Sequence, residues 1–255
     1  MPLVQLERRG LVAVLTLDRP EARNAISPEV SVAIEAALDE VEPDPGIRVV
    51  VLTGAGPTFC AGADLRAIAA GRGLEIPTAR GGFAGLVTRD FPKPLIAAVN
   101  GPALAGGFEI VLACDLAVAA EHAIFGIPEV KRGLIAGAGG LIRLAKRVSL
   151  AVALELAMTG DPIDARQALS LGLVNRVVPA AQVLDEALGL AERICEASPA
   201  AVRASRRMVR EAVDLPEAQA WVRNHELSAD VWRTGDPVEG ATAFAEKRAP
   251  VWKST

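Results

Sequence analysis

Short apolar runs alternate with polar punctuation along most of the chain, and the spacing of that punctuation predicts its elements. "LVQLER" and "LVAVLTLDRP" are two β-rich runs placed around Arg9-Gly10, the pattern of a hairpin. A helix is predicted from Ser27-Pro28, with Ser as N-cap and Pro in the first turn, carrying apolar residues at helical spacing to about Val41. "RVVVLTG", "PLIAAVNG" and "CDLAVAA" are Val/Ala/Leu-rich runs that end in turns or polar residues. They read as buried, roughly parallel strands followed by helical sequence, so the expected class is α/β. From about residue 147 the strand signal nearly vanishes apart from "GLVNRVVP", and one amphipathic helical stretch follows another. The expected division is an α/β core over residues 1–195 and a C-terminal helical region over 196–255, with the break at Ser198-Pro199.

Composition narrows the partners. The 255 residues are 51% hydrophobic and 23% charged, within the range of globular domains, with a net charge of -4. That balance gives no global attraction to nucleic acid or to an anionic membrane. Cys60, Cys114 and Cys195 are far apart and lack metal-ligand spacing, so they read as reduced core thiols of a cytoplasmic protein without an export signal. The apolar region "PLIAAVNGPALAGGFEIVLACDLAVAA" is interrupted by Asn100, Gly101, Pro102, Glu109 and Asp115. It therefore reads as several core elements and not as a membrane span.

Several chemistries fall by elimination. The Gly-rich turns "GAGPTFCAGAD" and "GAGGLIRL" fail the dinucleotide pattern, because Phe59 and Ile142 stand where the third glycine belongs. Neither ends as a phosphate-binding P-loop does. No Ser sits in G-x-S-x-G, the chain has only His122 and His225, and H-E-x-x-H is missing. What remains is Glu109 within an apolar run and Glu129 in "FGIPEV", beside the glycine turns. A carboxylate taken from water costs several kcal/mol unless partnered. Burial also raises its pKa toward the range that suits proton transfer at neutral pH. The structural alternative is that each caps a helix or pairs with an Arg such as Arg132 or Arg143. Gly106-Gly107 stand where a helix should begin, with amides lacking internal partners, and a second amide from "CAGAD" could meet them as an oxyanion hole.

The motifs "FCAGADL", "AAVNGPALAGGFEIVLACDLAVAA", "FGIPEVKRGLIAGAGGLIRL" and "AFAEKRAP" resemble, in order and spacing, the enoyl-CoA hydratase/isomerase (crotonase) family. "LDRPEARNAIS" and "GLVNRVVP" extend the resemblance over nearly the whole chain. It implies a ClpP/crotonase-like superhelix of ββα-type turns, with C-terminal helices that build a homotrimer or a dimer of trimers. It implies oxyanion-hole amides at Ala63 and Gly106, and acid/base glutamates at Glu109 and Glu129. Acyl-CoA contacts are implied at Arg23, Ala61, Ala63, Asp64, Leu65, Arg66 and Gly106, with Phe244 and Lys247 reaching CoA from the C-terminal region.

The implied reaction is reversible syn hydration of a trans-2-enoyl-CoA in fatty-acid or related acyl-CoA metabolism, with CoA carried by the substrate and no permanent cofactor or metal. The alternatives are crotonobetainyl-CoA hydration (carnitinyl-CoA dehydratase), enoyl-CoA isomerisation, or a non-catalytic or RNA-associated acyl-CoA binder. "GGFE" and "PEVKRG" lean toward the carnitinyl-CoA branch, while Leu141-Ile142 replaces a Thr-Gln pair typical of hydratases. "AAGRGLEIPTARGGFAG" is expected to line the acyl pocket and to be mobile. Arg203, Arg206, Arg207 and Arg210 are expected on a solvated face or an oligomer contact.

Overall fold

The computed structural model describes residues 2–253. The first two β-rich runs form a hairpin, with β1 (Val4–Arg9) antiparallel to β2 (Val12–Leu17) and Gly10 turning at φ 58°. A crossover is needed before a parallel partner can follow, and α1 (Pro28–Val41) supplies it. The Ser27 side chain accepts from the Val30 amide, Pro28 occupies the first turn, and Val30, Ile34, Leu38 and Val41 form the buried stripe. Next come β3 (Val49–Gly54), the short α2 (Leu65–Ala69), β4 (Leu95–Val99) and β5 (Ala103–Leu104). They are followed by α3 (Gly106–Ala113), β6 (Leu116–Ala120) and β7 (Ile124–Gly126).

Helices then dominate, as the fading strand signal predicts. They are α4 (Gly140–Arg147), α5 (Leu150–Thr159), α6 (Ala165–Ser170), α7 (Val183–Cys195), α8 (Pro199–Ala212), α9 (Glu217–Arg233) and α10 (Asp236–Glu246). Only β8 (Ile163–Asp164) and β9 (Arg176–Val178), the latter within "GLVNRVVP", interrupt them among the described residues. The main sheet runs β1-β2-β3-β4-β6-β9, parallel from β2 onward, and a small sheet runs β5-β7-β8. Strands β3 and β4 are buried at every position, as parallel strands covered on both faces must be. Helix α7 packs across β3, β4 and β6.

All eight residues of α3 are buried. Its last carbonyls need partners, and Arg147 donates to Leu112 at 2.9 Å and to Cys114 at 3.2 Å. Arg206 and Arg210 on α8 pair with Asp115 at 2.7 and 2.8 Å. That corrects the sequence expectation for these two arginines: they staple α8 to the corner between α3 and β6 and do not form a purely solvated face. No described helix is long and apolar enough to cross a membrane.

Candidate active site

The turn at residues 60–64 is built by pairing with the segment just before α1. Ala61 donates to Arg23 O at 3.0 Å, Ile26 to Gly62 O at 2.8 Å, and Asp64 to Ile26 O at 2.9 Å. Extended pairing uses alternate amides, so the Ala63 amide is left facing the other way. Asn24 anchors the pairing segment, donating to Thr58 O at 2.7 Å and Ala55 O at 2.9 Å while its own φ is 54°.

The same turn abuts the start of α3. Leu104 donates to Cys60 O at 3.0 Å, and Gly62 at φ 93° lies so close that a side chain there would stand 2.9 Å from the Gly106 nitrogen. A side chain on Gly107 would come within 2.1 Å of Cys60 O. These glycines allow backbone to meet backbone, and the glycine pair is the first turn of the helix itself. Neither the Ala63 nor the Gly106 amide has a hydrogen-bond partner among the described residues. Free, fixed N–H groups brought near one another can stabilise negative charge on an oxygen.

One turn further along α3, Glu109 is 3% exposed. Its Oε1 accepts from the Gly140 amide at 2.8 Å, at the start of α4. Burial pushes the carboxyl up to about 7, and the Gly140 hydrogen bond only partly offsets it. Glu129, 9% exposed, sits in the 3-10 turn Pro128–Arg132 with Oε2 lacking a protein partner, and burial raises its pKa as well. Neither glutamate is in an ion pair among the described residues. Arg143 instead donates to the carbonyls of Ala138 and Val87, and Arg132 to that of Lys131.

A cavity of about 1090 Å³ collects Arg23, Ala61, Ala63, Leu65, Gly106, Glu109 and Glu129 on one wall system. Asp64 and Arg66 are not on it. The Asp64 side chain caps α2 by accepting from the Arg66 amide at 3.0 Å and meets Arg19 at 3.2 Å, beside a shallow groove that also holds Arg66. Phe244, 87% exposed, and Lys247, which ends α10 at φ 55°, lie outside the cavity of their own chain.

Sequence reasoning reached Phe83 only as part of the Gly-rich segment and Ile142 only as a departure after "GAGG", and it missed the contact of Gly140 with Glu109. Gly140 had a signal, since "GAGG" brings free helix-start amides, but nothing local says which carboxylate they face. The Gly-rich segment expected to be mobile lines the cavity through Gly73, Leu74, Pro77, Gly82 and Phe83, and is bonded to α1. No described group of three or more His, Cys, Asp or Glu is placed to hold a metal ion.

The enoyl-CoA hydratase/isomerase family model matches residues 7–255. The chain is 42% identical over 256 residues to the carnitinyl-CoA dehydratase of Salmonella typhi, covering 98% of each. The structure of an enoyl-CoA hydratase from Mycobacterium tuberculosis H37Rv superposes with a TM-score of 0.95 at 44% identity, covering 100% of both chains. That of a carnitinyl-CoA hydratase from Mycobacterium avium gives 0.79 at 49% identity, covering 99% of each. The crotonase fold expected from the motifs is therefore the fold observed. With glycine turns converging on free amides beside two buried carboxyls, and with likeness running end to end, the chain belongs to the enoyl-CoA hydratase/isomerase family.

Proposed function

We propose that the protein is an enoyl-CoA hydratase, adding water reversibly and syn across the double bond of a trans-2-enoyl-CoA. The observation that carries this reading is two buried carboxyl groups on one cavity with two unpartnered amides. The thioester oxygen takes the amides of Ala63 and Gly106, which stabilise the enolate formed as hydroxide adds at the β-carbon. A donor in such a hole contributes roughly 3–4 kcal/mol to the transition state. Glu109, oriented by Gly140, removes a proton from water, and Glu129 delivers a proton to the α-carbon. One water is consumed, its hydroxyl ending on the β-carbon and a proton on the α-carbon, and the proton left on Glu109 returns to Glu129 through solvent to restore the starting state. Dehydration runs the same steps backward.

CoA arrives as part of the substrate. Arg23 and Leu65 line the same cavity and suit the carrier. Phe244 and Lys247 would contribute from a neighbouring copy in a homotrimer or dimer of trimers, an assembly that their exposure suits. A place in fatty-acid or related acyl-CoA metabolism follows from that substrate class.

The second reading is hydration of crotonobetainyl-CoA, favoured by the 42% and 49% identity to proteins named for carnitinyl-CoA. It uses the same two carboxyls. The test is loss of the conjugated enoyl-thioester absorbance with crotonyl-CoA and crotonobetainyl-CoA, beside Glu109→Gln and Glu129→Gln. Each variant should lose roughly 10²–10⁴-fold in kcat. Undiminished turnover in either would end the two-carboxyl mechanism, and the faster of the two thioesters decides the acyl group.

A further inference from the structure

The cavity wall formed by residues 73–88 is held by contacts that the hydration chemistry does not use. Thr78 Oγ1 and the Gly81 amide both donate to one oxygen of Glu35, on the side of α1 that faces this loop, the amide at 2.9 Å. Around that point the loop leaves no room. A side chain on Gly85 would stand 2.6 Å from Ser31 O and 2.7 Å from the Glu35 Cβ, and Ala84 is bent to φ 57°. Arg80 and Arg89 flank the contact, each pairing with Glu42. Such a seam of close backbone and shared carboxylate defines one loop position.

What that position sets is the place of Phe83. A side chain on Gly106 would lie 2.3 Å from the ring Cζ of Phe83, so the ring rests against the glycine whose amide serves the thioester oxygen. The ring therefore bounds the space beside the reacting carbons. We infer that Glu35 is a positioning residue that clamps the loop to α1 and so holds Phe83 against Gly106, making Phe83 the limit on acyl bulk. The inference rests on the reading that the cavity takes an acyl-CoA. An alternative role for Glu35, in stability alone, would lower the amount of active protein without altering preference among substrates.

The test compares full-length wild type with Phe83→Ala, Glu35→Ala, Glu35→Gln and Thr78→Val. It reads the ratio of kcat/KM for trans-2-octenoyl-CoA to that for crotonyl-CoA, in which the fraction of folded enzyme cancels. Phe83→Ala should raise the ratio by about tenfold, the scale at which a hydrophobic pocket discriminates size. Glu35→Ala and Thr78→Val should shift it in the same direction by a smaller factor, chiefly through KM. Glu35→Gln should stay near wild type, because its amide oxygen accepts the same two hydrogen bonds.

A ratio unmoved in Phe83→Ala, or moved there but not in Glu35→Ala and Thr78→Val, overturns the inference. The same ratio is also read as relative affinity for octanoyl-CoA and butyryl-CoA by calorimetry. If wild type hydrates neither enoyl-CoA, the hydratase reading fails while a shifted affinity ratio still supports the clamp and a flat one overturns it. If neither saturated thioester binds, both fall.

Discussion

Glu109 sits where its protonated form is favoured, and that has consequences for both rate and stability. With its pKa raised from 4.5 to about 7, a base at this position is progressively blocked as the pH falls through 7. The expected pH profile of kcat/KM therefore falls on the acid side of about pH 7, and a flat profile between pH 6 and 8 would contradict Glu109 as the base. For stability, the folded chain keeps a proton there that the unfolded chain releases between about pH 4.5 and 7, so stability drops as pH rises through that window. The full effect is roughly 3 kcal/mol at most. Glu109→Gln should accordingly melt higher than wild type at pH 8 and show little difference at pH 4.5. A strained neighbour makes a second case. Ala105 precedes α3 at φ 51° and ψ -130°, a conformation that suits glycine. Ala105→Gly should stabilise the fold by about 1 kcal/mol, read as a higher urea midpoint.

At the scale of elements, α3 and α4 are joined by polar contacts at both ends, Arg147 on the Leu112 carbonyl at one and the Gly140 amide on Glu109 at the other. A methyl on Gly140 would stand 2.8 Å from the Glu109 Cγ. Gly140→Ala should therefore displace the carboxyl and lower kcat by about 10² or more, with the fold retained as judged by circular dichroism. Elements of this kind explain what the sequence could and could not reveal. The hairpin, α1 with its Ser27-Pro28 start, the parallel strands and β9 all rest on local periodicity and caps, and all were legible. The pairing of residues 23–26 with 60–64, and of Gly140 with Glu109, joins segments distant along the chain, and periodicity carries no information about such meetings. Glu109 and Glu129 were legible because a carboxylate in an apolar run demands a reason. The Gly-rich segment was legible as pocket lining, but the place of Phe83 against Gly106 was not, and the pairing of Asp64 with Arg19, 45 positions away, lies equally beyond periodicity.

Over the whole molecule, large apolar side chains remain exposed on the later helices, among them Leu150 and Met158 on α5 and Trp221 and Trp232 on α9. Trp221 and Trp232 stand eleven positions apart and so share one side of α9, and exposed apolar side chains of that size are candidates for contact with another protein surface. The expected outcome in sedimentation is a species larger than the 26.5 kDa chain, shifted toward monomer by Trp221→Glu combined with Trp232→Glu. A wild type that sediments as a monomer would remove the proposed assembly.

The complete burial of α3 also bears on how such a chain can change over time. A helix with no exposed residue, stapled at its end by Arg147, tolerates few substitutions, so Glu109 and the Gly106 amide are inherited as a block. On the loop opposite, Gly81 and Gly85 are just as confined, but Phe83 is only partly buried and can be exchanged by one substitution that leaves α3 intact. With Phe83 as the proposed limit on acyl bulk, new acyl groups are reachable by mutation without passing through a catalytically dead intermediate.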